Sequence, residues 1–575
     1  ELGERELLPK EYSARSRVHE YGGGALLVTP QNIFFVRDQD QQVYSYTANG
    51  SIKQITNNKG ARFADGCYNA ATQELFYVME LHAAAVHNSL VKIDAATGTV
   101  TEIAGGNDFY AAPRVSPDGK TIAYITWNNP HMPWDTTELW TLDLTTGERQ
   151  LIAGGKDESV CDPKWSPEGQ LYYVSDRTGW WNIYTQEHTP IWKTDAEFSL
   201  PQWLFARSLI GFSKKGMVTG YTKNATNYCA HITVNNNNYT VTDITLPYTT
   251  LRGIAVENNS IAMIAGSPTE PYSIVLYDIT TGAAKTIKRA SGLVVDKEYL
   301  PQPQTIEFPT TDGTAHAFYY PPTNADYCGN TGEKPPLLVL SHGGPTGHVP
   351  PIFHPEIIYW TSRGFAVVDV NYGGSTGYGR PYRDKLKGNW GVVDVDDCAN
   401  AALYCAQQGL ADENRLLIQG GSAGGFTTLA ALAAKDIFKA GANHFGVSDL
   451  ERFVGDTHKF EALYLEQLVG KYPEEKAKYQ ERSPINNVHR ITSPVIIFQG
   501  DEDAIVPPSQ SEVIFNSLVE RNIPTAYLLF QGEQHGFRKA ENIKRSFEAQ
   551  LYFFAKVLNI TLSEDIEPVN IIHQK

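Results

Sequence analysis

The sequence predicts a two-domain chain, all-β in its first half and α/β in its second. Three observations point there. The chain has 575 residues, too many for one ordinary domain. Hairpin tips recur at roughly 42 to 49 residues up to about residue 290, the length of one four-stranded propeller blade. Beyond about Lys297 strands alternate with helices, the pattern of a parallel α/β sheet. The expected boundary puts a β-propeller at residues 1–295 and a catalytic α/β domain at 296–575.

Composition narrows the function classes. Hydrophobic residues make up 42% and charged residues 19%, enough for a large core and too apolar for disorder. A net charge of −16 and a pI near 5.4 argue against nucleic acid as a partner, because its phosphates would be repelled. An acidic interior suits cationic groups such as peptide amino termini. The six cysteines, 67, 161, 229, 328, 398 and 405, lack metal-ligand spacing, so no metal and no cofactor is expected and they read as small core residues of a reducing, cytoplasmic protein. No run of 18 or more apolar residues occurs, so no membrane partner is expected. The start at Glu1 shows no apolar signal region; it also lacks methionine, so a trimmed N-terminus is compatible with it.

In chain order, the tips of the first half are Ala48-Asn49-Gly50, Ala96-Thr97-Gly98, Thr145-Thr146-Gly147, an equivalent at Glu187-His188-Thr189, Asn236-Asn237-Asn238 and Thr280-Thr281-Gly282. A second landmark, a turn leading into an alternating strand, appears at Ser116-Pro117-Asp118-Gly119 and Ser166-Pro167-Glu168-Gly169. Six repeats are counted and a seventh, incomplete or beyond the N-terminus, is expected, so the expected propeller has seven blades. Radial stacking would bury both faces of each small sheet. Three patches break this grammar: Arg17 to Gly24, Trp127 to Asp135, and Gly179-Trp180-Trp181-Asn182. Their aromatics and acids either line a substrate cavity or pack between blades.

In the second half, Pro335 to His342 and Gly364 to Tyr372 read as buried strands, each followed by a glycine-bearing loop. A helix follows over roughly Val393 to Gln408. Arg415 to Gln419 is the next strand, and it runs into Gly420-Gly421-Ser422-Ala423-Gly424-Gly425 before another helix. A turn from strand to helix that tight strains the serine backbone, and a Cβ two residues either side would collide with its neighbours. Two later strands, Pro494 to Gly500 and Thr525 to Phe530, follow. Between them a helix after Pro508 carries a capping box, Ser509 with Glu512. The last helix presents Ile543, Phe547, Leu551, Phe554 and Leu558.

A serine hydroxyl needs a histidine to take its proton and an acid to orient that histidine. Gly500-Asp501-Glu502-Asp503 and Gln531 to Phe537 both end strands, so Ser422, Asp503 and His535 form a triad in the Ser, Asp, His order of α/β-hydrolases. Asp501 and Glu502 lie beside the acid; Asp503 is chosen because it leaves loop enough to reach the imidazole. The oxyanion of a tetrahedral intermediate would be met by the N–H of Ala423 and of Gly344, or of Gly343, since Pro345 has none.

With these residues in place the chain resembles the prolyl oligopeptidase family of serine peptidases, and within it the acylaminoacyl-peptidase and dipeptidyl-aminopeptidase-like branch, including a bacterial group with a puromycin-hydrolysing enzyme. The motifs are His342-Gly343-Gly344-Pro345, Asn371-Tyr372-Gly373-Gly374-Ser375-Thr376-Gly377-Tyr378-Gly379, Gly420 to Gly425, Gly500 to Asp503 and His535-Gly536-Phe537. More loosely, Val18 to Gly24 and Asn129 to Asp135 join them. The resemblance implies a peptidase for short substrates screened by the propeller, and it supports Asp503 as the acid. One departure matters: some relatives carry an arginine two residues after the acid, where this chain has Ile505. The expectation is a serine exopeptidase acting on the amino end of short peptides or aminoacyl amides through an acyl-enzyme on Ser422. Glu20 and Asp135 are the candidates for pairing with the substrate ammonium. The alternatives are an acylaminoacyl-peptidase or esterase, and an inactive hydrolase carrying a propeller interaction module; the reading leaves room for a homo-oligomer.

Overall fold

The computed structural model describes residues 5–235, 238–455 and 457–573. The first four residues, and Asn236 and Asn237 of one expected hairpin tip, lie outside the described residues. The chain divides into two units. One comprises Glu1–Ala265, Ile274–Lys288 and His458–Tyr464; the other comprises Gly266–Ser273, Arg289–Thr457 and Leu465–Lys575.

The first unit is propeller-like. Among the described residues it holds six antiparallel sheets in series, five of four strands and one of three, the three-stranded sheet being Val160–Trp165, Leu171–Ser175 and Asn182–Thr185. The expectation of seven blades is therefore corrected to six. Gly22, Gly23 and Gly24, in one of the patches that break the blade grammar, run alongside Phe205. Phe205 N–H donates to the Gly22 carbonyl at 2.9 Å, and a Cβ on Gly23 would lie 2.7 Å from the Phe205 backbone. Only glycine permits that approach.

The repeated tips share one turn. Asp94, Asp143 and Asp278 each accept two backbone N–H groups of their Thr-rich tips, and Gly98, Gly147 and Gly282 close the turns at φ 75, 76 and 71. Ser116 and Ser166 likewise close their Gly-containing turns, with Gly119 and Gly169 donating back to them. Successive sheets pack face to face. Phe34, Val36 and Val43 of the first meet Phe63, Leu75 and Val91 of the second, while Phe76, Val78 and Leu90 meet Tyr110, Ile122 and Leu142 of the third. Burial of both faces is what lets such small sheets stand.

Residues 458–464 follow the hydrolase grammar in sequence, yet they belong to this first unit. Phe460 stacks on His19 at 5.2 Å and packs near Phe109, Trp127 and Trp203; Tyr464 meets Trp134. The aromatics of the irregular patches are thus largely packed against one another. Of the cysteines, five are buried thiols, whereas Cys328 is exposed and departs from the expected core role.

The second unit is built on an eight-stranded sheet. Its centre is parallel: Leu337–Ser341 lies between Ala366–Asn371 and Leu416–Gly421, and Ala440–His444, Val495–Gly500 and Thr525–Phe530 follow outward. Every residue of Leu337–Ser341, Ala366–Asn371 and Val495–Gly500 is buried, which is why these strands are rich in Leu, Val and Ile on both faces. Two strands that the sequence reading did not identify, Gln304–Thr310 and Gly313–Tyr320, add an antiparallel edge. Ala440–His444 was also missed. Its small residues are poor strand formers, but a Cβ on Gly441 would lie 2.5 Å from Leu432, so bulk is excluded there. The helices are Val393–Gln407, Pro508–Glu520 and Ala540–Leu558 at the expected places. The expected Ser509 capping box is absent: Pro507 is the N-cap and no side chain caps that end.

Candidate active site

Ser422 sits between the strand Leu416–Gly421 and the helix Ala423–Ala434, at φ 57 and ψ −122. That backbone is strained for a residue with a Cβ, and its neighbours hold it there. A Cβ on Gly420 would lie 2.3 Å from the Gly424 carbonyl oxygen, and one on Gly424 would lie 2.0 Å from that of Ser341. Ser422 N–H donates to the His444 carbonyl at 3.0 Å, tying the turn to the next strand.

Asp503 and His535 are brought together. His535 Nδ1 lies 2.8 Å from Asp503 Oδ2, and the carboxylate is almost fully buried. Its other oxygen accepts the backbone N–H groups of Ile505 and Val506, both at 2.9 Å, so both oxygens are committed and the acid cannot rotate. Of the two neighbouring acids, Asp501 instead accepts the Gly532 N–H at 2.6 Å and Glu502 is exposed. The two loops approach because a Cβ on Gly500 would fall 2.4 Å from the Glu533 carbonyl. Glu533 itself is buried and accepts N–H groups from Arg538, Lys539 and Asn542, which shapes the turn carrying His535.

Phe445, which the sequence reading missed, links these parts. It follows His444, has φ 40, and sets its ring edge-on to His535 at 4.9 Å and to Phe537 at 5.5 Å. The segment that receives the serine N–H therefore also packs against the imidazole.

The loop expected to supply an oxyanion donor lies beside Ser422. A Cβ on Gly343 would stand 3.6 Å from Ser422 Cβ, and Gly344 has φ 125. Ala423 opens the helix after Ser422, where N–H groups lack intrahelical partners. The motif that begins at Asn371 braces this loop. Tyr372 stacks on His342 at 4.1 Å and donates its hydroxyl to the His342 carbonyl at 2.9 Å; Asn371 bonds both ways with the Val349 backbone. His342 Nδ1 faces the Gly343 carbonyl at 2.8 Å, which can only accept, so Nδ1 carries the proton and Nε2 accepts from the Ser375 hydroxyl. Desolvation pushes the His342 pKa down to about 4 against the pull of the Gly343 carbonyl, and the ring is neutral near pH 7.

The two acids expected for ammonium binding lie in the first unit. Glu20 pairs with Arg62 at 2.7 Å, beside Glu80 and His82. Asp135 is buried and accepts the Met132 N–H at 3.1 Å. A further carboxylate of that unit, Glu461, is buried and accepts the Tyr21 hydroxyl at 2.8 Å. No helix of the described residues is long and apolar enough to cross a membrane.

Comparison with known proteins follows this geometry. The profile of the prolyl oligopeptidase family matches residues 351–561. The solved structure of a puromycin-hydrolysing peptidase from Mycobacterium tuberculosis is 36% identical with a TM-score of 0.93, covering 99% of this chain and 91% of that one. The chain belongs to the prolyl oligopeptidase family. A second member, described as puromycin hydrolase, is 32% identical with a TM-score of 0.92, covering 98% of this chain and 90% of that one. Among curated members of the prolyl oligopeptidase family, dipeptidyl aminopeptidase BIII of Pseudoxanthomonas mexicana is 30% identical over 284 residues, 48% of this chain and 41% of that protein. The match thus spans less than half of that relative's length.

Proposed function

We propose that this protein is a serine exopeptidase that hydrolyses short peptides or aminoacyl amides from the amino end. The observation that carries the reading is the buried Asp503 bonded to His535, together with Ser422 on a strained turn that the segment His444–Phe445 links to that imidazole. The similarity to puromycin-hydrolysing proteins and to a dipeptidyl aminopeptidase supports the amino end as the point of attack.

In this mechanism Ser422 Oγ attacks the scissile carbonyl as His535 Nε2 takes its proton. Asp503 holds the Nδ1 proton of His535 and stabilises the imidazolium that forms. The oxyanion is met by the N–H groups of Ala423 and Gly344, and loss of one such donor would raise the barrier by about 3 kcal/mol. His535 then gives its proton to the leaving amine, and water repeats the sequence to release the acyl group. Glu20 and Asp135 are proposed to pair with the substrate ammonium. A homo-oligomer and a cytoplasmic location remain part of the proposal, the latter supported by the five buried thiols.

The test is a matched pair of substrates, an aminoacyl p-nitroanilide with its amine free and the same compound acetylated, on wild type and Ser422→Ala. Turnover of the free form alone, lost in the variant, is expected. Preference for the acetylated form would replace the reading with an acylaminoacyl-peptidase, in keeping with the similarity to proteins named acylamino-acid-releasing enzyme. Failure of a fluorophosphonate probe to label wild-type Ser422 would mean an inactive hydrolase. Unchanged kcat/KM for free amines in both Glu20→Gln and Asp135→Asn would remove those two assignments.

A further inference from the structure

Beside the strand that ends at Ser422, four polar side chains of the second unit are bonded in a line, Gln419 and Gln550 buried and Glu356 and His444 half-buried. Glu356, on the helix Pro355–Thr361, accepts from Gln419 Nε2. Gln419, on the strand that leads to Ser422, accepts from Gln550 Nε2 of the terminal helix. Gln550 Oε1 lies 3.0 Å from His444 Nε2. Gln419 is 6% exposed and Gln550 fully buried, so neither amide can turn to solvent for another partner.

The direction of this line is fixed at one end. Glu356 offers Gln419 a carboxyl oxygen, so Gln419 presents its amide nitrogen to Glu356 and its oxygen to Gln550. Gln550 in turn presents its oxygen to His444, which must carry its proton on Nε2. The imidazole is held from a second side by stacking on Phe498 at 4.6 Å. The next residue is tied down as well, since Phe445 N–H donates to the Phe498 carbonyl at 2.8 Å.

We infer that His444 and Gln550 are positioning residues, the end of a directional relay from Glu356 that sets the segment His444–Phe445 against both Ser422 and His535. The His444 carbonyl receives the Ser422 N–H, and the Phe445 ring abuts His535. A shift of this one segment moves nucleophile and base relative to each other. Misplacement on the order of 1 Å is enough to cost about a hundredfold in rate. The inference rests on the proposed roles of Ser422 and His535.

The experiment compares His444→Leu, which removes the donor and leaves Gln550 Oε1 without a partner, with His444→Gln, whose amide nitrogen reproduces the reach of Nε2. Turnover of the free-amine p-nitroanilide and the rate of fluorophosphonate labelling are measured on each. In His444→Leu kcat and the labelling rate are expected to fall together by about tenfold or more, with KM within about twofold. His444→Gln restores both to within about threefold of wild type. Wild-type rates in His444→Leu would overturn the inference. So would equal losses in both variants, which would assign the effect to packing, or a rise in KM alone, which would make His444 a substrate contact. Should His444→Leu fail to fold, Gln550→Met breaks the same relay from the helix and carries the same expected split. A wild type that neither turns over nor labels removes the underlying reading instead, a result distinct from a labelled wild type whose rate ignores His444.

Discussion

Two buried carboxylates of the second unit show how surroundings decide what the same side chain does. Asp503 accepts two backbone N–H groups and faces His535, so it is held as an acceptor. Asparagine in its place would turn an N–H2 toward either the imidazole or those N–H groups. Asp503→Asn is expected to lower kcat by roughly a thousandfold to ten-thousandfold with KM little changed, read on the free-amine p-nitroanilide. Asp369 has no such donors. Burial, and then the nearby charge of Glu356, push its pKa up to about 8. An acid whose folded pKa lies above its unfolded value of about 3.9 binds its proton more tightly in the folded state, so its contribution to stability falls as pH rises from about 4 to about 8. Asp369→Asn, which mimics the protonated form, should unfold with wild type at pH 4 and several degrees higher at pH 8. Equal melting temperatures at both pH values would refute the buried, protonated assignment.

At the scale of elements, the turn at Ser422 was legible because its glycines cluster in one short stretch, Gly420 to Gly425, between a strand and a helix. Gly420 and Gly424 are dictated by carbonyl oxygens only a turn or a strand away, and the glycine pattern records that. Gly424→Ala would push a Cβ into the Ser341 carbonyl; we expect about 1–3 kcal/mol of lost stability, seen as a lower Tm, together with slower fluorophosphonate labelling. An alanine variant with wild-type Tm and labelling would show that the turn has slack. Ala440–His444 was not legible, since its small residues answer to Leu432 on a helix rather than to strand propensity. Neither were Phe445 and Gln550, whose partners are distant in the chain. Ser509 and Glu512 carried a capping signal that the fold does not use, because Pro507 and Pro508 already set the entry of the helix. The blade count failed because the seventh blade was an extrapolation from six counted repeats, and the described residues hold six such sheets.

At the scale of the whole molecule, the chain divides into two units and passes between them at several places, one of them at Lys288 and Arg289. What the sequence did not reveal is the allegiance of residues 458–464. Phe460 has its aromatic partners, His19, Phe109, Trp127 and Trp203, in the first unit. A fragment of residues 289–575 expressed alone lacks all four. It is expected to bind a hydrophobic dye and to associate, and a monomeric, dye-silent fragment would contradict this packing.

That same segment bears on how relatives can be recombined. The chain changes units after residues 265, 273, 288, 457 and 464. A chimera cut once near residue 288 would graft a foreign 458–464 stretch onto a native aromatic cluster, or the reverse. Exchanging the first unit between homologues therefore calls for transplanting three separate stretches at once, and drift in one stretch must be matched by drift in the others.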